Sequence, residues 1–223
     1  MWHEYSDQIH CVENLARLIA RQVEVRLAQS DTFALAVSGG RTPIPLFQRL
    51  ARTALPWKQM RIRLVDERYV SPEHPDSNEA LVRRHLLQGP AEQADFRGLY
   101  IDGAGVEEAV AAANAEALTF DLAILGMGED GHMASIFPNA VQLAAALDPQ
   151  AAYYLHVTPP HAPHERISLS LAALRACRQL TLYIAGEEKR KIWLKARAAA
   201  DPALPISLLA ADTGVSLDVH WHP

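Results

Sequence analysis

Apolar residues recur every three to four positions between about residues 8 and 29, at Val12, Leu15, Leu18, Ile19, Val23 and Leu27. That spacing predicts a long amphipathic helix. The pattern then changes. Phe33-Ala-Leu-Ala-Val37 is an unbroken apolar run stopped by Gly39-Gly40, as expected of a strand buried on both faces. Thr42-Pro43 has the chemistry of a helix N-cap and first turn, leading into Leu46, Phe47 and Leu50. Further along, strands are predicted at 61–65, 98–101, 120–125, 153–157 and 179–184, and helices at 78–87, 106–118 and 187–200. Asp76-Ser-Asn78 opens the first of these helices as a cap. Strands alternating with helices predict an α/β fold: a mostly parallel sheet covered by helices on both faces, Rossmann-like and three-layered. No linker, repeat or low-complexity stretch divides the chain, so residues 1–223 are expected to form a single domain.

The composition is that of an ordinary globular chain, with 49% hydrophobic and 21% charged residues among 223. Apolar stretches are interrupted well short of the roughly 20 residues a membrane span needs. The first residues, Met1-Trp-His-Glu-Tyr, carry neither a basic leader nor an apolar signal core, so a cytoplasmic location is expected. Lys plus Arg is 21 against 26 for Asp plus Glu, a net charge of -5. Polyanion binding calls for a basic excess, so nucleic acid is not an expected partner; a small anion needs only a few local cations. Cys11 and Cys177 match no CxxC pattern and read as free thiols. Ten histidines are the compositional oddity.

In an open α/β sheet, ligands bind beyond the carboxyl ends of the strands, so a functional motif should follow a strand directly. Three do. Ser38-Gly-Gly-Arg-Thr-Pro43 offers glycine-loop amides, a hydroxyl and a helix N-terminus, a better match to anion binding than to a plain turn. It lacks the Gly-Lys-Ser/Thr ending of a nucleotide P-loop. Asp66-Glu-Arg68 ends the next strand: Arg68 can clamp a phosphate, while a neighbouring carboxylate holds it or accepts a substrate hydroxyl. A solvated charge cluster is the plainer alternative.

The third stretch, Leu125-Gly-Met-Gly-Glu-Asp-Gly-His132, formally contains G-x-G-x-x-G. Two acids between the last two glycines, where a pyrophosphate would have to approach, argue against a dinucleotide. An acid–base site fits better. His132 has an unperturbed pKa suited to proton transfer near neutrality, and Glu129 and Asp130 lie close enough to orient it. Ser38 and Ser135 lack the G-x-S-x-G setting of a nucleophile. His156, His161 and His164 lie in a Pro-rich loop without metal-ligand spacing and read as loop residues. Arg166 and Lys189 are two further cations near strand ends.

In order, these segments resemble the 6-phosphogluconolactonase family. The match runs through Ser38-Gly-Gly-Arg-Thr-Pro43, Asp66-Glu-Arg68, Asp76-Ser-Asn78, Gly126 to His132, Ala134-Ser-Ile-Phe-Pro138, Pro163-His-Glu-Arg166 and Gly186-Glu-Glu-Lys189. Met133 departs from the family's usual Thr, Glu79 from a common aromatic, and the stretch 217–221 fits poorly. The resemblance implies hydrolysis of the δ-lactone of 6-phosphogluconate in the oxidative pentose phosphate pathway, with no metal and no cofactor. It implies His132 as catalytic residue with Asp130 beside it. It places the substrate's phosphate on Gly39, Gly40, Arg41, Thr42, Arg68, Arg166 and Lys189, with Asp66 at the same strand end. The expected partner is a small sugar-phosphate lactone, bound by a monomer or weak homo-oligomer with no membrane association. Two alternatives stand beside it. One is a glucosamine-6-phosphate deaminase/isomerase, which needs an Asn-Glu pair where this chain has Phe137-Pro138; the other is a non-catalytic sugar-phosphate sensor.

Overall fold

A computed structural model describes all residues, 1–223. Its strands are β1 (Trp2–Glu4), β2 (Phe33–Val37), β3 (Met60–Leu64), β4 (Asp66–Arg68), β5 (Asp95–Phe96), β6 (Leu122–Leu125), β7 (Tyr154–Val157), β8 (Arg166–Leu169), β9 (Leu180–Ala185) and β10 (Leu217–His222). The helices are α1 (Gln8–Leu27), α2 (Ile44–Ala51), α3 (Asn78–His85), α4 (Val106–Ala115), α5 (Leu143–Leu147), α6 (Leu171–Arg175), α7 (Glu187–Ala196) and α8 (Ser207–Ala210). Seven strands form a parallel sheet in the order β1-β10-β9-β6-β2-β3-β5, flanked by helices, which is the predicted α/β architecture. No helix is long and apolar enough to cross a membrane.

The central strands form because nothing polar interrupts them. Every residue of β2 and β6 is buried, so an alternating pattern would have left polar groups without water. Helix α1 buries Cys11, Leu15, Ile19 and Val23 along one stripe, and its first turn is capped by Asp7, whose carboxylate accepts from the His10 amide at 2.9 Å. Both cysteines are buried free thiols.

Three expectations need correction. No strand forms at 98–101; β5 lies earlier, and pairing with β3 ends at the Arg97 amide, which donates to the Ile62 carbonyl. Gly98 there passes so close under the buried carboxyl of Glu79 that a Cβ would collide with it. Glu79 also pairs with Arg83 at 2.8 Å, so this departure from an aromatic is accommodated by a charge partner and a glycine. Second, the 153–157 strand is not in the main sheet. With β4 and β8 it forms a separate antiparallel sheet, ordered β4-β8-β7, in which Asp66 lies opposite Ser168 and Arg68 opposite Arg166. Third, Thr42 does not cap α2. Pro43 occupies the cap position without a side-chain cap bond, and Thr42 lines the cleft described below.

The strands at the two ends of the chain, β1 and β10, escaped prediction. They pair with one another, and β10 continues onto β9 along its whole length. Both sheets contribute to one contiguous cluster of 53 buried apolar residues, including Ile124 and Leu182 from the main sheet and Tyr154 and Ile167 from the second.

Candidate active site

Strand order reverses between β2 and β6: from β2 the chain moves outward through β3, whereas β6 lies on the other side and leads to β9. A cleft opens beyond the carboxyl ends at such a point because successive connections leave in opposite directions. Here it holds about 730 Å³ of space, open mouth included, and is walled by 18 residues. Ser38 to Pro43 form one wall, and Gly126, Met127, Gly128, His132 and Ala134 another. Asp66, Arg68 and Asn78 close one end, while Tyr183, Ile184, Ala185 and Lys189 come from β9 and the start of α7.

The wall after β2 presents a run of unpaired backbone donors. The Ser38 amide still donates to the Ile124 carbonyl, but the amides of Gly39, Gly40, Arg41 and Thr42 find no acceptor within the chain. Successive unpaired N–H groups ahead of a helix form a ready cradle for negative charge. Gly39 is required by close approach: a Cβ would run into the carboxamide of Asn78. Ser38 Oγ and Asn78 Oδ1, on two residues of the cleft lining, are buried without a partner, Asn78 Oδ1 lying against Gly39.

Arg68 and Asp66 are held from behind. The carboxylate of Glu67, wholly buried, accepts from the amides of Arg68, Asn78 and Glu79, each at 2.7 Å, and from the Ser77 hydroxyl at 3.2 Å. Burial pushes the Glu67 carboxyl up to about 7, against the pull of those backbone donors. The Asp66 carboxylate accepts from the Ser135 hydroxyl at 2.7 Å, and the Ser135 amide is fixed by Ser168 Oγ at 3.0 Å. Asn78 Nδ2 donates to the Asp66 carbonyl at 2.8 Å. Asp66 therefore does not hold Arg68. The Arg68 guanidinium donates to the Asp76 carbonyl at 2.5 Å.

The wall after β6 carries the histidine. Gly128 donates its amide to the His132 carbonyl at 2.8 Å, closing a tight turn that brings the His132 ring over Gly128. A Cβ on Gly128 would strike both that ring and the Asp130 carboxylate. Asp130 receives the His132 backbone N–H at 3.0 Å and lies 2.6 Å from ring Nδ1. Burial pushes the Asp130 carboxyl up, but these bonds from the His132 ring and amide outweigh it and leave the group below its ordinary value. The opposite ring nitrogen, Nε2, has no partner in the chain, and the Phe137 ring packs 4.4 Å away, centroid to centroid. Lys189 lies in the first turn of α7, where the helix dipole disfavours a cation. Burial lowers its pKa, while Glu129 and Asp130 act to raise it.

Of the candidate residues, Gly39, Gly40, Arg41, Thr42, Asp66, Arg68, His132 and Lys189 line the cleft. Asp130 stands behind His132 instead of in the wall. Arg166 is not in the wall either. It is buried, and its guanidinium donates to the carbonyls of Pro163 and His164 at 2.6 and 2.7 Å. Burial and the neighbouring Arg68 lower its pKa. Tyr183, Ile184 and Ala185 were not foreseen, because a strand that reads as pure core gives no sign that its last residues edge a cleft.

Fold and cleft together define an α/β protein with a loop of unpaired amides at the sheet's switch point and a carboxylate-backed imidazole in the same cleft. Residues 6–221 match the family described as glucosamine-6-phosphate isomerases/6-phosphogluconolactonase. The chain is 39% identical to 6-phosphogluconolactonase of Neisseria meningitidis over 227 residues, covering 99% of this chain and 98% of that one. It is 38% identical to 6-phosphogluconolactonase of Pseudomonas aeruginosa, covering 100% and 94%. The crystal structure of a 6-phosphogluconolactonase from Shewanella baltica superposes with a TM-score of 0.94 at 36% identity, over 100% and 97% of the two chains. The protein belongs to the glucosamine-6-phosphate isomerase/6-phosphogluconolactonase family. A monomeric glucosamine-6-phosphate deaminase, 15% identical with a TM-score of 0.80, shares the fold.

Proposed function

We propose that this chain hydrolyses 6-phospho-D-glucono-1,5-lactone to 6-phosphogluconate, the lactonase step of the oxidative pentose phosphate pathway, and that His132 is the general base. The observation that carries the reading is the arrangement of His132: Nδ1 is engaged by Asp130 at 2.6 Å and Nε2 is open, in the same cleft as Arg41, Arg68 and Lys189. The unpaired amides of Gly39 to Thr42 and the nearby cations receive the phosphate. That contact fixes the lactone carbonyl near the imidazole.

Nε2 removes a proton from a water molecule as the water oxygen bonds to C1 of the lactone. The carbonyl electrons move to oxygen, and the amides of Gly126 and Met127, unpaired within the chain, stabilise that charge. One such donor is typically worth about 3–4 kcal/mol. The C1–ring-oxygen bond then breaks, and the proton on Nε2 passes to the departing oxygen. Asp130 keeps the imidazole in the tautomer that presents a lone pair at Nε2 and stabilises the imidazolium formed in between. Asp66, anchored by Ser135, accepts from a sugar hydroxyl.

The ring-opening chemistry of a deaminase is disfavoured: Phe137, not a carboxylate, packs on the His132 ring. The test is lactone disappearance with and without protein, corrected for spontaneous opening, together with ammonia release from glucosamine 6-phosphate. Rapid lactone loss and no ammonia support the lactonase. A background lactone rate with ligand still bound would make the chain a sensor.

A further inference from the structure

We propose that His74, Asp76 and His164 form a binding site for one divalent transition-metal ion of the zinc type, outside the cleft. The three residues come from two loops far apart in sequence. His74 and Asp76 lie between β4 and α3, and His164 ends the loop between β7 and β8. One ligand atom from each lies within 4.8 Å of the other two. His164 Nε2 is 3.0 Å from Asp76 Oδ2, and the His74 and His164 rings meet edge-on at 5.1 Å. Ligands about 2.0–2.2 Å from a tetrahedral zinc ion sit roughly 3.3–3.6 Å apart. His74 Nδ1 lies 3.9 Å from Asp76 Oδ2, near that spacing, and accepts the Asp76 amide at 3.1 Å, so ligation by His74 through Nδ1 displaces that bond.

His164 reaches this point from a left-handed backbone, φ +70°, which is uncommon for a residue other than glycine and carries a cost. Two imidazoles and one carboxylate suit zinc, nickel or cobalt, whereas magnesium and calcium prefer an all-oxygen shell. Three protein ligands leave a position for water. Asp76 also receives Arg68 on its carbonyl, at 2.5 Å, so an ion here fixes the loop that positions Arg68. The Arg68 and Arg166 guanidiniums lie on this flank and oppose the ion's charge, while Asp76 neutralises part of it.

The experiment is a zinc titration of chelator-treated full-length protein against a chromophoric competitor, with magnesium in a parallel titration. The expected result is one zinc ion per chain and no magnesium binding. His74→Ala and His164→Asn should each weaken zinc binding by more than about tenfold, and His132→Ala should keep the wild-type affinity. Asn is chosen because it tolerates the left-handed backbone. Unchanged melting of both variants without zinc shows that they fold. Unchanged affinity in both variants, loss of binding in His132→Ala, or no stoichiometric zinc would each overturn the proposal.

Discussion

The carboxyl ends of β2 and β6 and the outer edge formed by β1 and β10 are both rich in polar side chains, yet they treat those groups in opposite ways. At the edge, polar atoms are paired off. His220 is 1% exposed, its Nδ1 lies 2.9 Å from the Tyr5 hydroxyl, and its ring stacks on His3 at 4.5 Å. Burial pushes its pKa down to about 4, with His3 acting in the same direction. His222 sits 3.3 Å from the Tyr183 hydroxyl. In the cleft, six amides (Gly39 to Thr42, Gly126 and Met127), Ser38 Oγ, Asn78 Oδ1 and His132 Nε2 have no partner in the chain. An unmade hydrogen bond costs about 1–3 kcal/mol when buried, so the edge pairs its polar atoms, whereas the open cleft leaves groups such as the amides of exposed Gly40 and Arg41 to solvent or to a ligand. A histidine count alone cannot distinguish the two situations, whereas their hydrogen-bonding partners can.

The contrast is sharpest if each histidine is removed. His132→Ala should lower lactone turnover by about 10²–10⁴-fold, the usual worth of general acid–base catalysis, while melting stays near the wild-type temperature. Wild-type turnover above the spontaneous rate would end its role. Arg68→Ala should raise KM by about tenfold or more, since a hydrogen bond to a charged group is worth about 1.5–3 kcal/mol, with kcat nearly unchanged; an unaltered KM removes Arg68 from the phosphate site.

His220→Ala should do the reverse. It leaves a cavity and an orphaned Tyr5 hydroxyl, costing about 2–3 kcal/mol and lowering Tm by roughly 5–10 °C, with turnover at 25 °C unaffected. Loss of turnover in folded protein would break the division between the two regions. The smallest effect is on acid stability. The unfolded His220 binds its proton near pH 6.5 and the folded one only near 4. Below about pH 6.5 the unfolded state therefore gains protons first, and stability falls with pH. Denaturant melts of wild type and His220→Phe should diverge by about 1 kcal/mol per pH unit between 6.5 and 4, wild type losing more. Parallel curves would mean that His220 is not held neutral.

Much of the cleft was legible because its motifs are local. Ser38 to Pro43 and Gly126 to His132 each follow a strand, and a strand end in an α/β sheet can be placed from the run of apolar residues that precedes it. Asp130 beside His132 needed only a two-residue separation. Other features needed partners distant in sequence. Arg166 reads as one more cation for the phosphate, whereas in the fold it is buried beside the cleft with Nη1 bonded to the carbonyls of its own loop. The three-stranded sheet brings Asp66–Arg68 against Arg166–Leu169, about a hundred positions away, and these two strands are too short for periodicity to register. Strand β10 was hidden by His220 and His222, whose polar identity masks the fact that both are buried.

The order of apolar runs and helical stripes was enough to specify the α/β architecture, because burying an unbroken apolar strand demands cover on both faces. The glycine loops likewise marked two walls of the cleft. Which polar groups are spent on the protein and which are left open was decided only when the chain folded. Pairing depends on distances of about 3 Å between residues tens or hundreds apart, and single-residue chemistry carries no record of that distance. That is why His132 and His220 look alike along the chain and differ in the fold.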